Sequence, residues 1–201
     1  MRGEGLAQIR KEGQKVQAFG FLANTKSVAS HPLRVIGIDL GTTNSTVAEI
    51  VWEPGQEAGP AIRCLNIDQQ TTQGRYTHIL VPSVVAILNG ETWVGEGAKR
   101  LRSLPGEGLG EYATWFAETK NDMGIRRSYH RALAGFGSAR AIAAEILKFL
   151  YRAAIAESNV PIARTVVTVP ASFQAAQRQD TISAGERAGL ALGGGDLFDE
   201  P

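Results

Sequence analysis

A carboxylate and a group of hydroxyl side chains follow the first strongly apolar run of the chain, in RVIGIDLGTTNSTVAEIV at residues 34–51. Asp39 ends this run, and the turn beyond it begins with Gly41, Thr42, Thr43 and Asn44. A carboxylate at the carboxyl end of a buried strand faces the crevice where α/β folds bind ligands. Because burying an unpaired carboxylate is costly, Mg²⁺ with its waters is a natural partner for Asp39. Glycine lets backbone N–H groups approach an anion closely, so the stretch suits a polyphosphate whose charge is shared with magnesium.

The same stretch is also compatible with an ordinary β-hairpin. In that case Asp39 would form a local turn with the next amides, and the threonines would simply favour strand. It is not a Walker A loop, because the GxxxxGK[ST] pattern and the helix that follows it are absent from this segment. Taken alone, the short pattern leaves both interpretations open.

Composition narrows the class of protein. The chain has 201 residues, of which 43% are hydrophobic, and this is enough for the core of one domain or one large lobe. The net charge of +1 gives no reason to expect nucleic acid or an anionic membrane as a partner. The single cysteine, Cys64, excludes an internal disulfide and fits a reducing, cytoplasmic location. The three histidines are scattered without the spacing of zinc ligands.

The first 30 residues differ from the rest of the chain. They hold five Lys or Arg against two Glu, a net charge of +3. Their periodicity is weak, and the glutamates argue against a transit peptide. We therefore predict a disordered or weakly structured extension over residues 1–33, followed by one domain over residues 34–201.

The pattern along that domain predicts a mixed α/β sheet with helices against it. Strands are expected within 34–51, over 61–67, from about Val84 into a hairpin at Asn89-Gly90, and over 165–169. Helices are expected over 111–120, from Ser138 to about Asn159, and from a Ser172 cap to about Gly189.

Three blocks together carry a family resemblance. GIDLGTTNSTVA at 37–48, VPSVVAILNGETWVGEGAKR at 81–100 and VVTVPASFQAAQRQDTISAGERAGL at 166–190 resemble, in the same order, the seventy-kilodalton heat-shock chaperones of the DnaK type. The resemblance implies an actin-like ATPase fold, related to ribonuclease H, of which this chain would be the first lobe. It implies ATP and Mg²⁺ as ligands, and unfolded client proteins and co-chaperones as partners of the parts of the family architecture beyond this chain.

The resemblance also implies roles for particular residues. Asp39 matches the aspartate that contacts the water shell of the metal, and Thr42 and Thr43 match the loop residues that touch the β- and γ-phosphates. Lys120, four residues before a matching Gly124, corresponds to the family's catalytic lysine near the γ-phosphate. Glu200 corresponds to the glutamate that helps to hold the metal waters, although the connection ALGGGDLFD before it is longer than is usual in the family.

Two further matches and one rival assignment remain. Pro170 and Arg178 match positions that relay the nucleotide state to the substrate domain. Equally, Pro170 could simply end a strand, and Arg178 could be a surface residue of a helix. LGGGDLFD at 192–199 could be mistaken for the family's second phosphate loop, but that loop should lie beyond another helix.

Three function classes stay open at this stage. The first is the ATPase lobe of a chaperone, with weak or no activity by itself because half a cleft offers few convergent contacts. The second is another actin-like phosphotransferase such as a sugar kinase, and the third is a non-catalytic remnant or interaction module.

Overall fold

The computed structural model describes residues 30–56, 59–104 and 108–200. Residues 1–29 of the predicted extension lie outside this part of the chain, while Leu33 is already the first residue of a strand. Within it no helix is long and apolar enough to cross a membrane.

Eleven strands are present in the described residues. In chain order they are β1 (Leu33–Asp39), β2 (Asn44–Trp52), β3 (Ile62–Cys64), β4 (Ile67–Thr71), β5 (Gly74–His78), β6 (Val81–Pro82), β7 (Val85–Leu88), β8 (Glu91–Val94), β9 (Trp115–Phe116), β10 (Ile162–Pro170) and β11 (Leu197–Glu200). The helices of the same part are α1 (Glu96–Leu101), α2 (Ala139–Glu157) and α3 (Ala175–Ala188), with 3₁₀ turns at Thr119–Asp122 and Gly194–Asp196.

The central sheet is mixed and has the order β11-β10-β1-β2-β3, with β6 pairing at one end of β2. Strands β10 and β11 run parallel to β1, whereas β2 runs antiparallel to it. Every second residue of β1 is buried, and Ile36 and Ile38 are completely inaccessible. This alternation follows from the pleat, which turns successive side chains to opposite faces.

The long helix α2 packs against this sheet. Its apolar residues recur at helical spacing, and Ile142, Leu147 and Leu150 belong to the same buried cluster as Ile36 and Ile38. Helix α3 packs on α2. Two smaller sheets, β4-β5 and β8-β7-β9, complete the described structure. The fold is thus the predicted mixed α/β arrangement.

Several local predictions are confirmed. Residues 34–51 form strand, turn and strand, and Asn89 and Gly90 form the expected hairpin turn with φ of 53° and 78°. Ser138 caps α2, because its Oγ accepts a hydrogen bond from the amide of Ala141 at 3.3 Å.

Other local predictions differ from the structure. The predicted helix over 111–120 is a turn followed by β9, because burial of Trp115 and Phe116 places them in a strand next to β7. The predicted strand over 61–67 is divided into β3 and β4 around Leu65, whose amide donates to the carbonyl of Val47. The hairpin of β4 and β5 was not predicted.

Ser172 does not cap the second helix. A turn in which the Phe173 amide donates to the carbonyl of Pro170 separates β10 from α3, and the helix begins two residues later than expected. Gln174 takes the cap position, where its amide donates to the side chain of Gln177 at 2.9 Å.

Candidate functional site

Three parallel strands end at the same edge of the central sheet. Asp39 is the last residue of β1, Pro170 the last of β10 and Glu200 the last of β11. Asp39 is level with Thr168 of β10, and the Thr168 hydroxyl donates to the Asp39 carboxylate at 3.1 Å. Pro170 is level with Glu200. Because neighbouring strands lie about 4.8 Å apart, two carboxylates flank the end of β10 from strands that are roughly 10 Å apart.

The turn between β1 and β2 begins at this edge and is very tight. A Cβ on Gly41 would lie 2.0 Å from the carbonyl oxygen of Asn44, so a side chain at that position would force the loop open. Thr43 and Asn44 are exposed and Thr42 is half-buried. In the described structure, neither the Thr42 amide nor the Thr43 amide donates to a protein acceptor. The loop therefore offers two free backbone N–H donors beside Asp39. The tight turn that presents them requires glycine at position 41.

Lys120 reaches the site from the 3₁₀ turn Thr119–Asp122. Its Nζ donates to Oε1 of Glu200 at 3.2 Å and lies 5.5 Å from the centre of the Phe173 ring. The Lys120 side chain is 10% exposed, whereas that of Glu200 is 34% exposed. The ammonium is thus held between a carboxylate and an aromatic face at this edge of the sheet.

The segment that carries Lys120 is anchored on both sides. The Gly124 amide donates to the Asp180 carboxylate of α3 at 2.8 Å. Gly124 has φ of 73°, and a Cβ there would lie 2.6 Å from the side chain of Gln177, so glycine is needed for this approach. These contacts fix the turn of Lys120 against the amino end of α3.

A second anchor of this segment is an aromatic and ionic cluster. Asp122 accepts hydrogen bonds from the Arg127 guanidinium at 2.9 Å and from the Tyr129 hydroxyl at 2.9 Å. Arg127 also lies over the ring of Tyr112 at 4.7 Å. Burial, together with the nearby Asp122 carboxylate, raises the pKa of Tyr129, so its hydroxyl stays protonated and keeps donating.

The predicted relay residues lie next to the site. Arg178 donates to the backbone carbonyl of Phe173 at 3.1 Å and pairs with Asp199, the residue before Glu200. Pro170 begins the turn that leads to Phe173. Arg178 therefore links the start of α3 to the end of β11.

The donor set fits a hydrated magnesium ion. Carboxylates and hydroxyls are hard oxygen ligands, and Mg²⁺ usually keeps several waters while binding one or two carboxylates and substrate phosphates. Among the described residues no group of three or more His, Cys, Asp or Glu could hold a metal by itself. Asp39 and Glu200 therefore suit a metal held through its waters.

Comparison with known proteins gives a consistent result. The sequence model of the Hsp70 protein family matches residues 113–193. The DnaK chaperone protein of Metamycoplasma hominis is 35% identical over 156 residues, which is 78% of this chain and 22% of that protein. The DnaK chaperone protein of Mycoplasmoides gallisepticum is 33% identical over 162 residues, which is 79% of this chain and 24% of that protein.

The chain belongs to the Hsp70 family. The family resemblance of the three sequence blocks is therefore confirmed, and with it the actin-like ATPase fold. The chain spans about a quarter of the length of the curated relatives it matches. It corresponds to a chaperone nucleotide-binding region. The family model covers Lys120 and Thr168 but ends before Glu200 and begins after Asp39.

The predicted site residues of this Hsp70 chain occupy one edge of its sheet. The structure joins Lys120 to Glu200 directly and leaves Asp39 beside the tight turn at Gly41. It leaves the exposed side chains of Thr43 and Asn44 without a described protein partner.

Sequence reasoning missed three contributors to this edge. Thr168 holds Asp39, Phe173 lies under Lys120, and Ser83 binds the turn from behind. Only Thr168 left a usable signal, because it is the one polar side chain in the apolar run VVTVP of a strand expected to lie in the sheet. The partners of the others depend on long-range contacts.

One cavity of the described structure lies away from this edge. It has a volume of about 620 Å³ and lies between α2 and β8, with Glu145, Lys148 and Thr92 among its lining residues. Asp39, Lys120 and Glu200 do not line this cavity.

Proposed function

We propose that this chain is the ATP-binding lobe of a DnaK-like chaperone whose complete domain hydrolyses ATP to drive client binding and protein folding. One observation supports this most strongly. The Asp39 carboxylate, the Gly41 turn and the Lys120–Glu200 pair lie at the ends of parallel strands in one sheet. Crevices at the carboxyl ends of parallel strands are where α/β folds bind ligands.

The turn would bind the phosphate groups. The free amides of Thr42 and Thr43 and the hydroxyl and amide side chains around them are suitable donors to β- and γ-phosphate oxygens. Asp39, oriented by Thr168, would accept hydrogen bonds from waters of a bound Mg²⁺. Bound magnesium neutralises the charge that develops on the phosphate oxygens.

Lys120 and Glu200 would complete the site. The Lys120 ammonium would contact the γ-phosphate and help to position the attacking water, which is the main contribution of a protein to phosphoryl transfer. Because the ammonium is paired with Glu200, its position is set before nucleotide arrives. Glu200 would hold metal waters from the opposite side of β10.

The remaining parts of the proposal concern the whole protein. Client and co-chaperone binding would belong to regions beyond this chain, and a cytoplasmic location stays a prediction. The lobe by itself would bind Mg-ATP weakly, because affinity depends on contacts that converge from both walls of a cleft. Tight Mg-ATP binding with steady turnover by the 201-residue chain would contradict this view of an incomplete site.

An NMR titration with Mg-ATP tests the proposal, since it detects weak binding. We expect amide shifts centred on residues 41–46, and about tenfold or more weakening in the Asp39→Asn and Lys120→Met variants. Asp68→Asn and Lys148→Met are matched controls, because both residues form exposed or half-exposed pairs away from this edge. Absence of shifts at 41–46 at millimolar Mg-ATP would reject the proposal.

A further inference from the structure

Ser83 binds the candidate phosphate loop from behind through three contacts. It lies between β6 and β7 and is 4% exposed. Its amide donates to the carbonyl of Thr43 at 2.8 Å, its hydroxyl donates to the carbonyl of Gly41 at 2.7 Å, and its Oγ is 2.8 Å from Oγ of Ser45. One residue therefore contacts both ends of the turn and the strand that follows it.

The direction of these hydrogen bonds follows from the chemistry of a hydroxyl. A serine has one proton to donate, and the Ser83 proton is directed to the Gly41 carbonyl. The Ser45 hydroxyl, 1% exposed, must therefore be the donor in its contact with Ser83. The result is a short ordered chain from Ser45 through Ser83 to Gly41, in which each bond polarises the next.

The chain of bonds also determines where the next amide points. In a planar trans peptide the C=O and N–H groups point in opposite directions. Because the Gly41 carbonyl is directed towards Ser83, the amide of Thr42 is directed away from it, where no acceptor lies among the described residues. A rotation of this peptide would turn a carbonyl oxygen towards the place proposed for phosphate.

We propose that Ser83 is a positioning residue that fixes the Gly41–Thr42 peptide so that the Thr42 amide faces the nucleotide phosphates. This inference rests on the proposed function, since it concerns the same site. Ser83 touches no phosphate itself and acts through the loop. Its removal should therefore change phosphate affinity beyond any effect on stability.

A comparison of Ser83→Ala with Ser45→Ala separates the two effects. Both variants remove a buried hydroxyl, and because Ser83→Ala loses two side-chain hydrogen bonds where Ser45→Ala loses one, the affinity of each variant is compared together with its measured stability. Only Ser83→Ala removes the bond to Gly41, because in Ser45→Ala the Ser83 proton still reaches that carbonyl. Ser83→Cys fills the same space but has only a weak S–H donor. If Ser83→Ala does not fold, the affinity of Ser83→Cys tests whether the hydrogen bond to Gly41 matters.

The experiment is a Mg-ATP titration of the 201-residue chain followed by the backbone amide signals of residues 41–46. We expect about tenfold or more weaker binding in Ser83→Ala, an intermediate loss in Ser83→Cys, and less than about threefold loss in Ser45→Ala. Without nucleotide, the Thr42 amide signal should move in the Ser83 variants and stay close to wild type in Ser45→Ala.

The outcomes are distinguishable. If the wild-type chain binds Mg-ATP and Ser83→Ala binds it equally well, the positioning role is overturned while the proposed function stands. If both serine variants lose affinity in proportion to their lost stability, Ser83 is only structural and the inference is also overturned. If the wild-type chain shows no binding, the proposed function fails and the inference fails with it.

Discussion

A buried ion pair on the face of the central sheet that α2 covers offers a direct test of the structure. Arg34 of β1 is completely inaccessible, and its Nε donates to Oε2 of Glu49 at 2.6 Å. Glu49 of β2 is 3% exposed and also binds Arg63 of β3 at 2.5 Å. Arg34 further donates to the carbonyl of Ala154 in α2 at 2.7 Å. The pair thus joins neighbouring strands to the long helix that covers them.

The change we consider is Glu49→Gln, which keeps the size of the side chain and removes its charge. Removing one partner of a buried pair typically costs 3–5 kcal/mol, because the other charge is left without compensation. The Nη1 group of Arg34 already has no hydrogen-bond partner in the described structure, so little can replace the lost acceptor. We expect a loss of about 3 kcal/mol, since the glutamine carbonyl still accepts one bond.

Thermal and urea unfolding of the purified chain measure this loss. For a domain of this size, about 3 kcal/mol corresponds to a fall in Tm of roughly 6–12 °C. Asp68→Asn is the matched control. Its partner is Arg75, both side chains are more than half exposed, and such pairs contribute about 1 kcal/mol or less.

The two members of the buried pair should not be equivalent. Arg34→Met leaves Glu49 paired with Arg63, whose side chain is 55% exposed, so we expect a smaller loss than in Glu49→Gln. The double variant Arg34→Met with Glu49→Leu should recover most of the stability, because no buried charge remains. If Glu49→Gln unfolds at the wild-type temperature, as Asp68→Asn should, the reasoning from burial is refuted.

Three further predictions concern other parts of the molecule. Gly41→Ala should abolish detectable Mg-ATP shifts in the NMR titration, because its Cβ would lie 2.0 Å from the Asn44 carbonyl; unchanged shifts would show that the loop is not a tight cradle. The Gly193 amide and the Arg164 guanidinium lower the pKa of Asp196, so its stabilisation is present above its ordinary pKa of about 3.8 and is lost as the pH falls below it. Asp196→Asn should therefore lower stability at neutral pH and flatten the acid limb of the unfolding profile, which urea unfolding between pH 2 and pH 7 would measure; parallel profiles would contradict this. Ser138→Ala should lower the free energy of unfolding in urea by about 1 kcal/mol through loss of the α2 cap, whereas Ser138→Asp should keep most of the wild-type stability. Equal stability of the wild-type chain and both variants would argue against the cap.

Much of this molecule could be predicted from local patterns. The two strands within 34–51, the Asn89-Gly90 turn and the helical spacing after Ser138 are all properties of short segments, and each appears where expected. The family resemblance likewise depended on contiguous blocks, and it is confirmed. Such features follow from backbone geometry and from the need to bury one face, so neighbouring residues carry enough information.

What the sequence could not reveal depends on residues far apart in the chain. The segment 111–120 has the composition of a helix, yet burial of Trp115 beside β7 places it in a short strand. The Lys120–Glu200 pair spans 80 positions and the Ser83 contact with Gly41 spans 42. These contacts exist only because the fold brings the 3₁₀ turn of Lys120 to the end of β11 and pairs β6 with the start of β2, beside the turn at Gly41. The local sequence therefore determined the elements and the candidate residues, and the tertiary structure alone decided which of those residues meet.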